Sequence, residues 1–188
     1  MKAHNIFFLP VILLLNGCFP EKHIEFNVVP VNGNIEKFSD ELIKKGFTKT
    51  QATEDNQVNL KGDFLEKECE IYVYGTKKSR IAYKVTVNLP VEVHDSIDAD
   101  FGKMQKLFAT KYGKGMNRYQ QYQNSERFLF NEPKRIRHTR TGDFTRYRTD
   151  SGTITLEVNS GYISITFLDK VNDEINKAES DEGLRQRE

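Results

Sequence analysis

The sequence has little of several residue types that usually point to a function. It contains no Trp and only two Cys among its 188 residues. Two cysteines cannot build the disulfide framework of a small secreted domain. Neither sign of charge is in surplus, because 28 Lys and Arg face 27 Asp and Glu. The composition therefore excludes a strong overall field that would attract nucleic acid.

Catalytic and metal-binding motifs are also missing. The chain has no Gly-x-Ser-x-Gly, no phosphate-binding loop and no Cys–His signature. His23, His94 and His138 are far apart and lack metal-ligand spacings. We therefore expect no cofactor, no metal and no enzymatic activity. The enzymatic alternative is a hydrolase that uses Asp98 and Asp100, although acids at the start of a predicted helix also stabilise it through the helix dipole.

The amino-terminal residues are typical of an export signal. Lys2 precedes an apolar run at 6–15 that only a proline interrupts. This run is too short for a transmembrane helix, which needs about 20 residues. Residues 15–18 read Leu-Asn-Gly-Cys. Leu15 fits an ordinary secretory cleavage site poorly, because that site has small residues one and three positions before the cut.

The same four residues resemble the lipobox of bacterial lipoproteins, in which the cysteine receives a diacylglyceryl group. Asn16 departs from the small residue that is usual in that slot. The resemblance implies that residues 1–17 are a signal peptide and that a lipid on Cys18 anchors the protein to the bacterial envelope. Phe19 in place of Asp favours the outer membrane in a host with two membranes. The alternatives are a secreted protein with a free Cys18 and an uncleaved signal that serves as the anchor.

Two segments have the apolar spacing of amphipathic helices. The first helix is predicted at 35–45, after a turn at 32–34 that supplies its N-cap, and Gly46 ends it. The second is predicted at 97–112, and Gly113 ends it in the same way.

Most of the remaining apolar residues alternate with polar ones, as in strands with one wet face. Strict alternation places Ile81, Tyr83 and Val85 on one buried face. Cys69 alternates with Ile71, which predicts a buried, inert thiol. Strands are predicted near 24–31, 58–64, 71–73, 81–89, 128–130, 144–148, 154–158 and 162–167.

The resulting order, β-α-βββ-α-ββββ, predicts an α+β fold in which two long helices pack on antiparallel sheet. We expect a tether at 18–25, one domain at 26–170 and a polar C-terminal tail or weak terminal helix at 171–188. The order also suggests a helix-plus-sheet pseudo-repeat with halves 26–92 and 93–170.

Two stretches carry a resemblance to a protein family. Residues 29–33 (Val-Pro-Val-Asn-Gly) with 45–47, and the closing hairpin 152–165 followed by Asp169 and Asn172, resemble uncharacterised lipoproteins of gut anaerobes. In architecture alone, the two halves are similar to the tandem repeat of β-lactamase-inhibitor proteins. Neither likeness supplies catalytic positions, and fold likeness alone does not establish function.

A basic segment between 134 and 148 is the one asymmetric feature of the charge pattern. Arginine side chains suit phosphate and carboxylate groups. An exported protein would meet anionic lipid, an anionic envelope polymer or an acidic envelope protein there, and not nucleic acid. The alternative is a solvated loop whose charges pair with neighbouring acids. The candidate anion- or partner-binding residues are Arg135, Arg137, His138, Arg140, Arg146 and Arg148.

Together these features predict a membrane-anchored cell-envelope lipoprotein that acts as a non-enzymatic binding or assembly module. The alternative is an inhibitor-like module that blocks another protein with its sheet face. That alternative requires aromatic rings, with Tyr72 and Tyr74 as candidates, to be accessible on that face.

Overall fold

A computed structural model of the chain describes residues 21–51, 55–91, 97–117, 143–159 and 161–185. The predicted α+β class is confirmed, with helices packed on an antiparallel sheet and a small separate hairpin. In chain order the elements are β1 (Glu25–Phe26), β2 (Val29–Pro30), α1 (Ile35–Lys44), β3 (Thr48–Thr50), β4 (Gln57–Phe64), β5 (Lys67–Gly75), β6 (Ala82–Pro90), α2 (Ile97–Tyr112), β7 (Met116–Asn117), β8 (Phe144–Thr149), β9 (Gly152–Asn159), β10 (Tyr162–Asp169) and α3 (Lys170–Arg185).

Eight of these strands form one antiparallel sheet in the order β3-β4-β5-β6-β10-β9-β8-β7. Strands β3 to β6 follow α1 as one meander, and β7 to β10 follow α2 as another. The two meanders join at the centre, where β6 pairs with β10 from Tyr162 opposite Pro90 to Leu168 opposite Lys84. Among the described elements, the order of one helix followed by four antiparallel strands therefore occurs twice.

Helices α1 and α2 cover the same face of this sheet. Helix α1 packs on β4 and β5, and α2 packs on β8, β9 and β10. The alternating apolar residues of the strands meet both helices in one continuous core, which also holds the β1–β2 hairpin. The main buried helix residues are Ile35, Phe38 and Leu42 from α1, and Phe101, Met104 and Phe108 from α2.

The ends of α1 follow from two local residues. The side chain of Asn34 accepts a hydrogen bond from the backbone N–H of Glu36 at 3.0 Å, which satisfies one free donor of the first turn. Gly46 follows the helix with φ +102°, a conformation that other residues rarely adopt. Gly113 follows α2 with φ +80°. Both predicted helices are confirmed at these boundaries.

Two strand predictions need correction. The first predicted strand is a tight hairpin, because the chain turns at Asn27 and Val28, which both have positive φ. The second correction concerns β6. Gly75 of β5 pairs with Ala82 of β6, whereas the preceding residue, Tyr74, pairs with Lys84. The intervening Tyr83 forms a β-bulge that reverses the alternation, so Ala82 is buried in place of the predicted Ile81 and Tyr83.

Both ends of the domain extend further than predicted. Ile24 is buried, and its N–H donates to the Asp169 carboxylate at 2.9 Å, so the tether predicted at 18–25 stops short of this residue. Of the two alternatives for 171–188, the structure has the terminal helix, since α3 runs from Lys170 to Arg185. Helix α3 contacts β6, β9 and β10, and Glu179 accepts a hydrogen bond from the Lys78 N–H at 2.6 Å. The strand predicted at 128–130 lies outside the described residues.

Candidate functional site

The structure describes only part of the predicted binding segment. Arg146 and Arg148 lie on β8, two positions apart and therefore on one face of the sheet. Arg146 is partly exposed, with its guanidinium carbon 5.3 Å from the centre of the Phe144 ring, and Arg148 is exposed. The remaining predicted site residues, Cys18, Arg135, Arg137, His138 and Arg140, lie outside the described residues.

These two arginines belong to the face of the sheet that α1 and α2 leave uncovered. We call this surface the polar face. Strand pairing aligns its residues in rows, one of which crosses five strands. That row consists of Tyr72, Thr86, Thr166, Thr155 and Arg146, and the flanking members of the polar face are Glu70, Tyr74, Lys84, Asn88, Thr153, Glu157, Tyr162, Ser164 and Arg148.

Tyrosines on β5 have fixed positions on the polar face. The Tyr72 hydroxyl donates to a Glu70 carboxylate oxygen at 2.6 Å. This bond, together with partial burial, raises the pKa of Tyr72 to about 12, so the ring keeps its O–H at neutral pH. The Lys84 ammonium lies 3.8 Å from the centre of the Tyr74 ring, within the range of a cation–π contact.

The centre of the polar face is crossed by hydrogen bonds between β6 and β10. The hydroxyls of Thr86 and Thr166 are 3.2 Å apart, and the Ser164 hydroxyl donates to the Asn88 side-chain oxygen at 2.7 Å. Asn159 on β9 donates to the same Ser164 hydroxyl at 3.2 Å. These contacts restrict the rotamers of the side chains that a partner would touch.

A shallow depression of about 570 Å³ lies at one end of the polar face. Its lining includes Lys61, Glu70, Tyr72, Asn88 and Tyr162. The volume falls in the range of about 300–1,000 Å³ that ligand pockets occupy, but such pockets are enclosed and mostly apolar. This depression is open and carries both signs of charge.

Cys69 is buried behind this depression, as predicted. Its thiol donates to the Gly62 carbonyl oxygen at 3.2 Å. Burial raises the pKa of Cys69 to about 11, with a smaller contribution from the Asp63 charge. Since the thiolate is the reactive form, this thiol is a poor nucleophile near neutral pH.

The carboxylates of the hydrolase alternative do not have the required properties. Asp98 is exposed, and Asp100 lies 2.7 Å from the Lys67 ammonium. The hydrogen bond from Lys67 is the main cause that lowers the pKa of Asp100, and Lys103 adds to it at 3.5 Å. A general acid needs a raised pKa. The ion pair therefore gives the hydrolase alternative no support.

A histidine–carboxylate pair lies near the first described residues, where sequence reasoning found only a tether. His23 Nδ1 lies 3.2 Å from both oxygens of Asp169, and Asn32 donates to His23 Nε2 at 2.8 Å. Asp169 also accepts the backbone N–H groups of Ile24 and Asn172. These contacts hold the start of the domain against the first turn of α3, so the cluster has a structural role.

No three His, Cys, Asp or Glu side chains within the described part of the chain are placed to hold a metal ion together. No helix within that part is long and apolar enough to span a membrane. The fold and the site define an α+β protein whose antiparallel sheet has an apolar face that α1 and α2 cover and a polar face that these two helices leave uncovered. Comparisons of the chain with protein-family models, with curated proteins and with solved structures find no match.

Proposed function

We propose that the protein is a lipid-anchored lipoprotein of the cell envelope, and that it is a non-enzymatic binding or assembly module whose partner docks on the polar face. The polar face is the observation that carries this proposal. It spans five strands, and hydrogen bonds hold many of its side chains before any partner arrives. Such preorganisation reduces the entropy lost on association.

The composition of the polar face also suits a protein partner. Tyr72, Tyr74 and Tyr162 are partly exposed on it. Tyrosine is enriched at protein interfaces, because a large apolar ring and a hydroxyl are presented at low conformational cost. A wet face is the ordinary condition of an antiparallel sheet. The tyrosines and the bonded network are the features that favour a binding surface over simple solvation.

The test compares one threonine at the centre of the polar face with one outside it. Thr86→Lys places a long charged side chain in the central row, whereas Thr110→Lys introduces the same group at an exposed position of α2, on the other side of the sheet. Both proteins are used with their anchor to capture binding partners from envelope extract. We expect Thr86→Lys to lose the retained partner and Thr110→Lys to keep it. Equal retention by the two variants would reject the polar face.

Positive charge at the β8 end of the polar face suits an acidic partner. We expect the pair Arg146→Ser and Arg148→Ser to weaken retention on an anionic matrix at low salt, because both guanidinium groups lie on one strand. The matched control is the pair Lys37→Ser and Lys45→Ser, which removes two exposed cations from α1 and its C-cap. Equal weakening by both pairs would indicate non-specific charge and not a site.

The lipid anchor rests on the Leu-Asn-Gly-Cys sequence at 15–18. Cells are labelled with a fatty acid, and the protein is compared with its Cys18→Ser variant. We expect label in the unchanged protein and none in the variant. Equal label in both would reject the anchor but would leave the polar face to be judged on its own test.

An inhibitor-like module is the second candidate, and one observation favours it. Tyr72 and Tyr74 are partly exposed on the polar face, as that hypothesis requires, instead of being buried. The two candidates differ in the effect on the partner. A retained enzyme whose turnover falls in the complex, and recovers with Tyr72→Ala, would favour inhibition. Unchanged turnover in the complex would reject it.

A further inference from the structure

An apolar groove of about 230 Å³ lies on the helix side of the sheet. Three elements meet there: the β1–β2 turn, the β4–β5 turn and the second half of α2. Each contributes one apolar side chain to the edge of the groove, and we call these three, Val28, Leu65 and Leu107, the apolar rim. Aromatic side chains deeper in the groove include Phe64, Phe108 and Phe167.

The apolar rim is unusually accessible to solvent. The exposed fractions are 76% for Val28, 51% for Leu107 and 38% for Leu65. Among the described residues, Ile43 on α1 is the one other large apolar side chain exposed to this degree. Single exposed apolar residues are ordinary, but a cluster around a groove is typical of an interaction site.

Two of the rim side chains stand on unfavourable backbone. Val28 has φ 64° and Leu65 has φ 54°, both in the left-handed region. Two-residue hairpin turns with positive φ favour Asn and Gly, and a β-branched valine is among the least suited residues. Two hairpins therefore carry apolar side chains at their tips where a polar turn residue would be more stable. Strain of this kind points to a use for the side chains.

Positive charge borders the rim. Residues 101–115 contain four lysines and no acid. Of these, Lys111 lines the groove, and Lys106 is exposed beside Leu107 on α2. Glu25 and Glu66 are the acids adjacent to rim residues. The α2 side of the groove thus combines an exposed leucine with cations, as side chains that enter the interface of an anionic bilayer do.

We propose that the apolar rim docks the domain on the surface of an anionic lipid bilayer, with Val28, Leu65 and Leu107 in the headgroup region and the α2 lysines at lipid phosphates. This inference rests on the proposed lipid anchor. Glu25, at the groove, follows Cys18 by seven residues. Seven residues span at most about 25 Å, so an anchored chain keeps the rim within reach of the membrane. The polar face, on the other side of the sheet, then faces away from the bilayer.

The test measures the depth of single side chains in the bilayer. The full-length protein, isolated with its anchor, is reconstituted into phosphatidylcholine vesicles that contain phosphatidylglycerol. An environment-sensitive fluorophore is attached to Leu107→Cys, Val28→Cys, Ile43→Cys or Thr155→Cys, and lipid-borne nitroxides serve as quenchers. Cys69 is buried, so its thiol does not compete for the label.

We expect emission to be lost at positions 107 and 28 and retained at positions 43 and 155. Ile43 is the matched control, because it is an apolar residue of similar exposure on the other helix. Replacing phosphatidylglycerol by phosphatidylcholine, or introducing Lys106→Ser with Lys111→Ser, should reduce the quenching at 107. No quenching at 107, or equal quenching at 107 and 43, would overturn the proposal.

Two further results separate this surface from the anchor and from self-association. If the protein carries no fatty acid on Cys18 but positions 107 and 28 are quenched, the rim docks on the membrane and the anchor is rejected. If Cys18 carries fatty acid but these positions are not quenched, the anchor is supported and docking by the rim is rejected. The mass of the protein in solution is the second result. If the unchanged protein has the mass of two chains and Leu107→Ser has the mass of one, the groove binds a second copy and membrane docking is overturned.

Discussion

The two halves of the sheet have the same order of elements, but their helices are packed to different degrees. In α1, Ile35 and Leu42 are completely buried, whereas Phe101, Met104 and Phe108 of α2 keep 5–7% of their surface exposed. Helix α2 also exposes more than half of Leu107. Helix α1 thus buries its apolar stripe more completely than α2 does.

Each helix has one buried apolar stripe and one apolar residue outside it. In α1 the apolar residues Ile35, Phe38 and Leu42 recur every three or four positions and share one narrow face. In α2, Leu107 directly precedes the buried Phe108, so the two side chains point about 100° apart around the helix. Leu107 is therefore outside the core, as Ile43 is in α1, but Leu107 is the more exposed of the two, at 51% against 38%. The same topology can therefore support helices that expose their apolar side chains to different degrees.

Core truncation should give the largest difference between the halves. Leu42→Ala removes a completely buried side chain of α1 and should lower the free energy of unfolding by about 3–5 kcal/mol. Met104→Ala in α2 should cost about 2–3 kcal/mol, because its site is less tightly enclosed and can relax. Urea unfolding measures both. Equal losses, or a larger loss in α2, would contradict the comparison.

The glycines that follow α1 and α2 allow the stability of the two helix ends to be compared. Gly46→Ala and Gly113→Ala each force a side chain onto positive φ, at a cost of about 1–2 kcal/mol. The loss should be larger at Gly46, whose φ of +102° is further from the left-handed minimum than the +80° of Gly113. Thermal unfolding measures the difference.

Gly102→Ala is the control for these two variants. Gly102 lies inside α2, and nothing would lie within 4 Å of an added methyl group. We expect this variant to gain about 0.5–1 kcal/mol, since alanine favours the helix. A loss at Gly102 would mean that the two helix-end effects are not caused by φ.

The N-cap of α1 should contribute a smaller amount. Asn34→Ala removes the acceptor for the Glu36 N–H, and we expect a loss of about 1 kcal/mol in the free energy of unfolding. Asn34→Asp keeps an acceptor at this position and should restore most of the stability. If Asn34→Asp and Asn34→Ala lose the same amount in chemical denaturation, the side-chain bond is not the cause.

Helices α1 and α2 each have an acid in the first turn that pairs with a lysine on a strand. We expect these pairs to have the smallest effect on the free energy of unfolding. Hydrogen bonds from Lys49 and Lys67 are the main causes that lower the pKa of Glu36 and of Asp100, respectively. A lowered pKa means that the stability is present at neutral pH and is lost as the pH falls below the ordinary value and through the folded one. We expect at most about 1 kcal/mol from each pair.

The measurement for these pairs is the free energy of unfolding from pH 7 down to acid. Glu36→Gln and Asp100→Asn should be less stable than the unchanged protein at pH 7, and the differences should shrink as the carboxylates protonate. Asp100 is the less exposed acid, with 17% of its side chain accessible against 46% for Glu36, so its variant should show the larger change. Differences that persist at low pH would indicate a loss of packing instead.

Much of this fold could be predicted because its signals are local. Apolar spacing, a capping asparagine and glycines after the helices lie within a few residues of the boundaries that they determine. The failures involve distant partners. The bulge at Tyr83 depends on pairing with β5, and Asp169 holds Ile24 across 145 positions of sequence. Helix α3 has few apolar residues, so the sequence left a tail and a weak helix as alternatives, and the helix is held by distant contacts such as Glu179 to the β5–β6 turn.

The candidate sites were less predictable than the fold. The arginines of β8 could be recognised by residue type. The polar face exists only after five strands have been aligned in register, which alternation within one strand does not determine. The apolar rim depends on Val28 and Leu65 in a conformation that their residue types disfavour, so sequence patterns argue against it.

The central position of β10 also determines when the fold can be completed. It is the last strand to be synthesised, yet it lies between β6 and β9. Until Tyr162–Asp169 has emerged, β6 has an unpaired edge, and Ile24 has no carboxylate to bind. During that time the first meander has an open strand edge, which is prone to pairing with other chains. A longer delay between the synthesis of β6 and that of β10 would therefore prolong the exposure of this edge.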